Sequence, residues 1–173
     1  MAFDAEKEIT SLWRAFHGVQ DDQRRTFYQW RQAALELLGD KADPMEVADK
    51  AWEVIGIDTA KSYFPRTNLS KPNWLQSLAS NIVATWMMRG AKIHMEKGEN
   101  DNEVFIIWDR CPYPTTAKSY GASMEEDLAG CNRGLEVIVE QLAAFTNKKL
   151  KIETTKAIPK GEGACVRRLW VEE

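Results

Sequence analysis

Three cysteines dominate the reactive chemistry of this chain. Cys111 lies in Trp108-Asp109-Arg110-Cys111-Pro112-Tyr113, Cys131 in Ala129-Gly130-Cys131-Asn132 and Cys165 in Gly161-Glu162-Gly163-Ala164-Cys165. Thiolates suit zinc and other borderline-soft metals, and such sites take three or four protein ligands. No Cys-x-x-Cys pair is present, so any metal site must be assembled from separate segments. Cys131 and Cys165 are candidate ligands, with the Glu153 carboxylate on an adjoining strand as an oxygen donor. Cys111 is either a further ligand or a nucleophile in a cleft, with Arg110 beside it to lower its pKa. A free thiol is equally a small buried hydrophobe. Cys131 continues an apolar helical stripe, so a plain core role stands beside the metal one.

The other candidates are fewer. The histidines are His17 and His94. His94 is a possible base, although it alternates with Lys92 and Glu96 and so falls on the polar face of a strand. His17, next to Gly18, reads as a helix C-terminal residue. Trp86, Trp108, Tyr113 and Arg110 are candidates for shaping a substrate pocket, and Tyr113 and Tyr120 flank the Cys-Pro segment. Aromatic and Met stripes such as Trp86-Met87-Met88 are also ordinary core. Ser, His and Asp show no triad spacing, and Pro159-Lys160-Gly161-Glu162-Gly163 reads as a hairpin turn, not a phosphate loop.

These residues must be positioned by helices first and strands second. The spacing of Ile9, Leu12, Trp13 and Phe16 predicts a helix from about Asp4 to Phe16, broken at Gly18. A second helix, capped by Asp21 or Asp22 and closed by Gly39, carries Phe27, Trp30, Ala34, Leu37 and Leu38 on its apolar side. A third starts at Asp43-Pro44, with Val47, Ala51, Val54 and Ile55 apolar; Pro65 ends the helical structure that follows it. A fourth, capped by Ser70, runs from Pro72 to Gly90. Strands are expected over 91–97 and 103–110, the second central and covered because both faces are apolar. A polar loop then leads to a long helix from Met124 to about Phe145, and a hairpin of strands over 148–156 and 164–171 ends the chain. The result is an α+β domain over residues 1–173: helices over 1–90 packed on an antiparallel sheet of about four strands, with one long helix inserted.

Composition narrows the function classes. At 173 residues the chain can build one real core. A net charge of −3 without a basic stripe argues against nucleic acid. No apolar run approaches a membrane span, and the charged start Met1-Ala2-Phe3-Asp4-Ala5-Glu6 is unlike a secretory signal. Three cysteines, an odd number, fit reduced thiols in a cytoplasmic protein.

A helix carrying a Cys, followed by a hairpin carrying Glu153, a Gly-rich turn and Cys165, resembles the 4-vinyl reductase domain superfamily. The Cys111-Pro112 element with Cys131 and Cys165 also looks like the related L-2-amino-thiazoline-4-carboxylic acid hydrolase-like proteins. The resemblance covers about Lys92 to Trp170. It implies an often dimeric α+β fold with an apolar pocket between helices and sheet, and it matches Cys131, Glu153 and Cys165 to zinc ligands. This chain departs from the zinc-binding sensors near Thr155 and Lys156, where a further Cys is missing. Cys111 completes the site, or a water does, or no metal binds. An open fourth position would favour catalysis.

The expectation is therefore a small metal- or thiol-dependent hydrolase. It would act on a small cyclic or amide-like C–N substrate, with zinc or a similar divalent ion as cofactor, and form a homodimer without nucleic-acid or membrane partners. Two alternatives stand beside it. One is a non-catalytic small-molecule-binding or sensor domain with a structural zinc. The other is a thiol redox sensor with a depressed Cys111 pKa.

Overall fold

The computed structural model describes residues 4–172; Met1, Ala2 and Phe3 of the charged start, and Glu173, lie outside them. Helix α1 spans Ala5–Leu38, with Asp4 as N-cap accepting from the Lys7 N–H and Gly39 closing it at φ 56°. It runs unbroken through Gly18, where a break was expected. One glycine costs a helix about 1 kcal/mol, and the turns on either side share one phase. Ile9, Trp13 and Phe16 continue into Gln20, Arg24, Tyr28 and Arg31. Those four polar residues are the buried ones. The expected apolar side is instead largely exposed: Trp30, Leu37 and Leu38 are 74%, 88% and 52% accessible.

Helix α2, Pro44–Tyr63, begins as expected, with Asp43 accepting from the Met45 N–H. It buries Ala48, Trp52, Gly56, Ala60 and Tyr63, not the stripe of Val47, Ala51, Val54 and Ile55. After a 3-10 turn over Phe64–Arg66, helix α3 spans Trp74–Met88 with Asn73 as N-cap. Ser70 is not the cap, because Pro72 keeps the preceding residue out of the helical region and Lys71 to Asn73 form a turn. Gly90, at φ 89°, reverses the chain into the sheet.

Strands β1 (Lys92–Lys97), β2 (Glu103–Arg110), β3 (Leu150–Lys156) and β4 (Cys165–Val171) form one sheet in the order β1-β2-β4-β3. Every neighbouring pair is antiparallel. β2 is central, with Val104, Ile106 and Trp108 buried and Phe105 and Ile107 half-buried. Helices α4 (Tyr113–Ser119) and α5 (Met124–Thr146) are inserted between β2 and β3. α4 lies where a loop was expected, since Pro112 and Pro114 at its start are compatible with the first helical turn. Ser123 caps α5 by accepting from the Glu126 N–H.

The fold is thus α+β, with helices and a four-stranded antiparallel sheet. Its core joins Trp52, Leu78, Ile82, Trp86, Ile106, Trp108, Leu142 and Leu169. α2 and α5 approach closely because glycines meet across them. A Cβ on Gly56 would lie 2.8 Å from the Gly134 carbonyl oxygen, and one on Gly130 would lie 2.4 Å from the Trp52 ring. Among the described residues, no helix is long and apolar enough to cross a membrane.

Candidate functional site

The three thiols converge. Cys111 follows β2, Cys131 lies on α5, and Cys165 opens β4 opposite Trp108. With Trp108, Tyr113, Asp127 and Arg167 they line one enclosed cavity of about 10 Å³, room for about one water. The Ile158 N–H donates to Cys165 Sγ at 3.2 Å, and Arg167 Nη2 donates to Cys131 Sγ at 3.2 Å. Arg167 is 2% exposed, and its guanidinium lies 4.6 Å from the Trp108 ring centroid. Its Nε has no partner among the described residues. Asp127 accepts a hydrogen bond from Tyr28 Oη at 2.9 Å.

Burial governs the titration of this cluster. It pushes the Cys111 thiol well above its ordinary range, and Cys131 adds to the rise. Arg110 was expected to lower this pKa, but it is exposed at the end of β2 and points its charge into water. Burial pushes Cys131 up to about 11, opposed by Arg167. Burial likewise raises Asp127 to about 6, with the Tyr28 hydrogen bond opposing it. At neutral pH Cys111 and Cys131 are therefore thiols, not thiolates.

Of the expected metal ligands, Cys131 and Cys165 line this cavity and Glu153 does not. Glu153 pairs with Arg168 across β3 and β4 and hydrogen-bonds to it at 3.5 Å. Arg168 points away from Cys165 and Arg167, because alternate residues of a strand face opposite sides of the sheet. Glu153 therefore lies on the outer face, with the sheet between it and the thiols. Among the described residues, no three His, Cys, Asp or Glu side chains are arranged to hold a metal ion. The donor set does not fit the expected zinc.

His94 is also on the outer face. It is paired with Ile107, its Nδ1 lies 3.1 Å from Asp109 Oδ2 and its Nε2 lies 3.5 Å from Glu96 Oε1. It is not beside Cys111. Trp86 is core, packed on Trp52, Trp108 and Tyr113 with ring centroids 6.1, 5.7 and 5.6 Å away.

A second opening is much larger. Residues of α1 and α2 line an open groove of about 890 Å³. Phe27, Trp30, Ala34 and Leu38 line it from α1, and Val47, Ala51, Val54 and Ile55 from α2. Its lining also includes Trp52 and Tyr113, which are among the residues that wall the thiol cavity. Arg89 is there too, its guanidinium 5.1 Å from the Trp86 ring centroid. Arg89 makes no ion pair among the described residues, whereas Arg31 is held by Glu126 and Lys50 by Glu53. Sequence reading missed Arg89, Asp127 and Arg167. Only Arg167 carried a signal: it alternates with Cys165 and Leu169, so it falls on the inward face of β4.

No family model matches this chain, and no curated protein matches it. Among solved structures it is similar to a trafficking protein particle complex subunit 3 from Naegleria fowleri, covalently bound to palmitic acid. The two are 12% identical over 88% of this chain and 97% of that chain, with a TM-score of 0.48. A likeness of that degree assigns nothing to the groove or the thiols.

Proposed function

We propose that this chain is a non-catalytic binding domain that takes an apolar small molecule with an anionic head group in the groove between α1 and α2. One observation carries the reading. Two apolar helix faces that by pattern alone would be core, Phe27/Trp30/Ala34/Leu38 and Val47/Ala51/Val54/Ile55, face each other across open space. A groove of about 890 Å³ is of the size that ligand sites take, and few convergent polar groups in an apolar wall are their usual make-up. Arg89 supplies the cation, oriented by the Trp86 face.

The hydrolase alternative draws less support. Cys111 is held as a thiol by burial, His94 lies on the outer face of the sheet, and the thiol cavity has room for only about one water. The 4-vinyl reductase resemblance implies a pocket between helices and sheet, whereas this groove is lined mainly by two helices, so the resemblance adds no support to the reading.

The test uses two fluorescent probes, 8-anilinonaphthalene-1-sulfonate and its uncharged relative N-phenyl-1-naphthylamine. Both should bind saturably, one per chain. Arg89→Ala should weaken the sulfonate roughly tenfold or more, the scale of a lost charge-assisted hydrogen bond, and leave the neutral probe unchanged. Absence of saturable binding, or an equal loss for both probes, would contradict the proposal.

A further inference from the structure

The first half of α1 overruns the domain. Every residue from Ala5 to Val19 is exposed, and the helix becomes buried only at Gln20. This overhang carries Ile9, Leu12, Trp13 and Phe16, which are 56%, 68%, 57% and 41% accessible. They lie in phase with Gln20, Arg24, Tyr28 and Arg31, so the face that docks on the body continues past it with nothing beneath. Trp13 and Phe16 pack edge to face and His17 stacks on Trp13, with centroids 5.9 Å apart in each case. A free-standing helix of this length is marginal in water, so this stripe needs a cover.

We infer that a second copy of the chain covers it, through antiparallel pairing of the two α1 overhangs about a two-fold axis between Leu12 and Trp13. The stripe is its own complement in that arrangement. The positions 9, 12, 13 and 16 are symmetric about that point, so Ile9 of each copy meets Phe16 of the other, and Leu12 meets Trp13. Such reciprocity is what an isologous interface requires. The flanking groups agree, because the Glu8 carboxylate falls opposite the His17 imidazole, which can donate a hydrogen bond, twice by symmetry. In a parallel pairing Glu8 would face Glu8. At about 150–250 Å² per large side chain, of which 41–68% is exposed, the four residues offer roughly 400 Å² of apolar surface per copy, and their neighbours bring the total near the lower bound for a specific interface. The acidic first turn, with Glu6 and Glu8 after the Asp4 cap, disfavours an anionic lipid surface as the cover.

The experiment is sedimentation equilibrium on the full chain at about 1–200 µM, concentrations that span weak dimer affinities. The wild type should sediment as twice the 19.7 kDa chain, and Leu12→Glu/Trp13→Glu as a single chain with an unchanged thermal melt. Two disulfide variants guard against a substitution that perturbs folding. Ile9→Cys/Phe16→Cys should form covalent dimers under mild oxidation, and Ile9→Cys alone should not. A monomeric wild type, a dimer that survives Leu12→Glu/Trp13→Glu, or crosslinking of Ile9→Cys alone would each overturn the inference.

Discussion

Asp127→Asn should stabilise the protein increasingly as pH rises. Asp127 is 8% exposed, lies beside the buried Glu126, and is contacted by Tyr28. Burial lifts its pKa from 3.8 to about 6. A carboxyl whose folded pKa lies above its unfolded value binds its proton more tightly in the fold. Between those two values the folded chain carries more protons than the unfolded one, so stability falls as pH rises through the window, and the full penalty is present above about 6. At about 1.36 kcal/mol per pH unit, the penalty is ~3 kcal/mol. Asparagine carries no charge, and its carbonyl oxygen still accepts from Tyr28. Urea unfolding of both proteins from pH 4 to pH 8 isolates the effect, because every other titrating group is common to the two. The variant should gain ~3 kcal/mol relative to wild type across that range. A difference that stays constant with pH would refute the reasoning, and one that grows toward acid would reverse its sign.

Further outcomes follow from the same geometry. Arg31 and Glu126 form a buried bidentate pair, with Arg31 Nη2 2.6 Å from Glu126 Oε2. Arg31→Ala should lower stability by about 3–5 kcal/mol by stranding the carboxylate, and the double change Arg31→Met/Glu126→Leu should recover most of that in urea melts. Gly130→Ala should cost about 1–3 kcal/mol in thermal unfolding, because the added Cβ would press on the Trp52 ring, itself 4% exposed. Ala51→Trp should fill the groove. It should abolish binding of the anilinonaphthalene probe while changing stability by no more than about 0.5 kcal/mol, as for a half-exposed position.

Local signals carried the sheet and most helix ends. Asp43-Pro44, Gly39 and Gly90 all mark boundaries through capping or left-handed geometry, which needs only near neighbours. β2 was legible to the residue, because its apolar run is bounded by a turn cluster and by Cys111-Pro112. What failed was long-range. Gly18 reads as a stop, yet the helix continues because its docking contacts begin only two residues later, at Gln20. The apolar stripes of α1 and α2 read as core because pattern shows which face is apolar, not whether anything fills the space beside it. Glu153 reads as a ligand because spacing alone does not say which side of a strand faces the thiols; the β3–β4 register does. The convergence of Cys111, Cys131 and Cys165 was legible as a possibility, but the burial that keeps Cys111 and Cys131 protonated was not.

The groove is the central claim, and indole resonances test it most directly. The chain has seven tryptophans, each with one Nε1–H signal that a Trp→Phe series can assign. Titration with 8-anilinonaphthalene-1-sulfonate should shift the signals of Trp30 and Trp52, which line the groove, and leave those of Trp74, Trp108 and Trp170 in place. Shifts confined to Trp13 on the α1 overhang, or to Trp170 on β4, would put the ligand elsewhere and contradict the account.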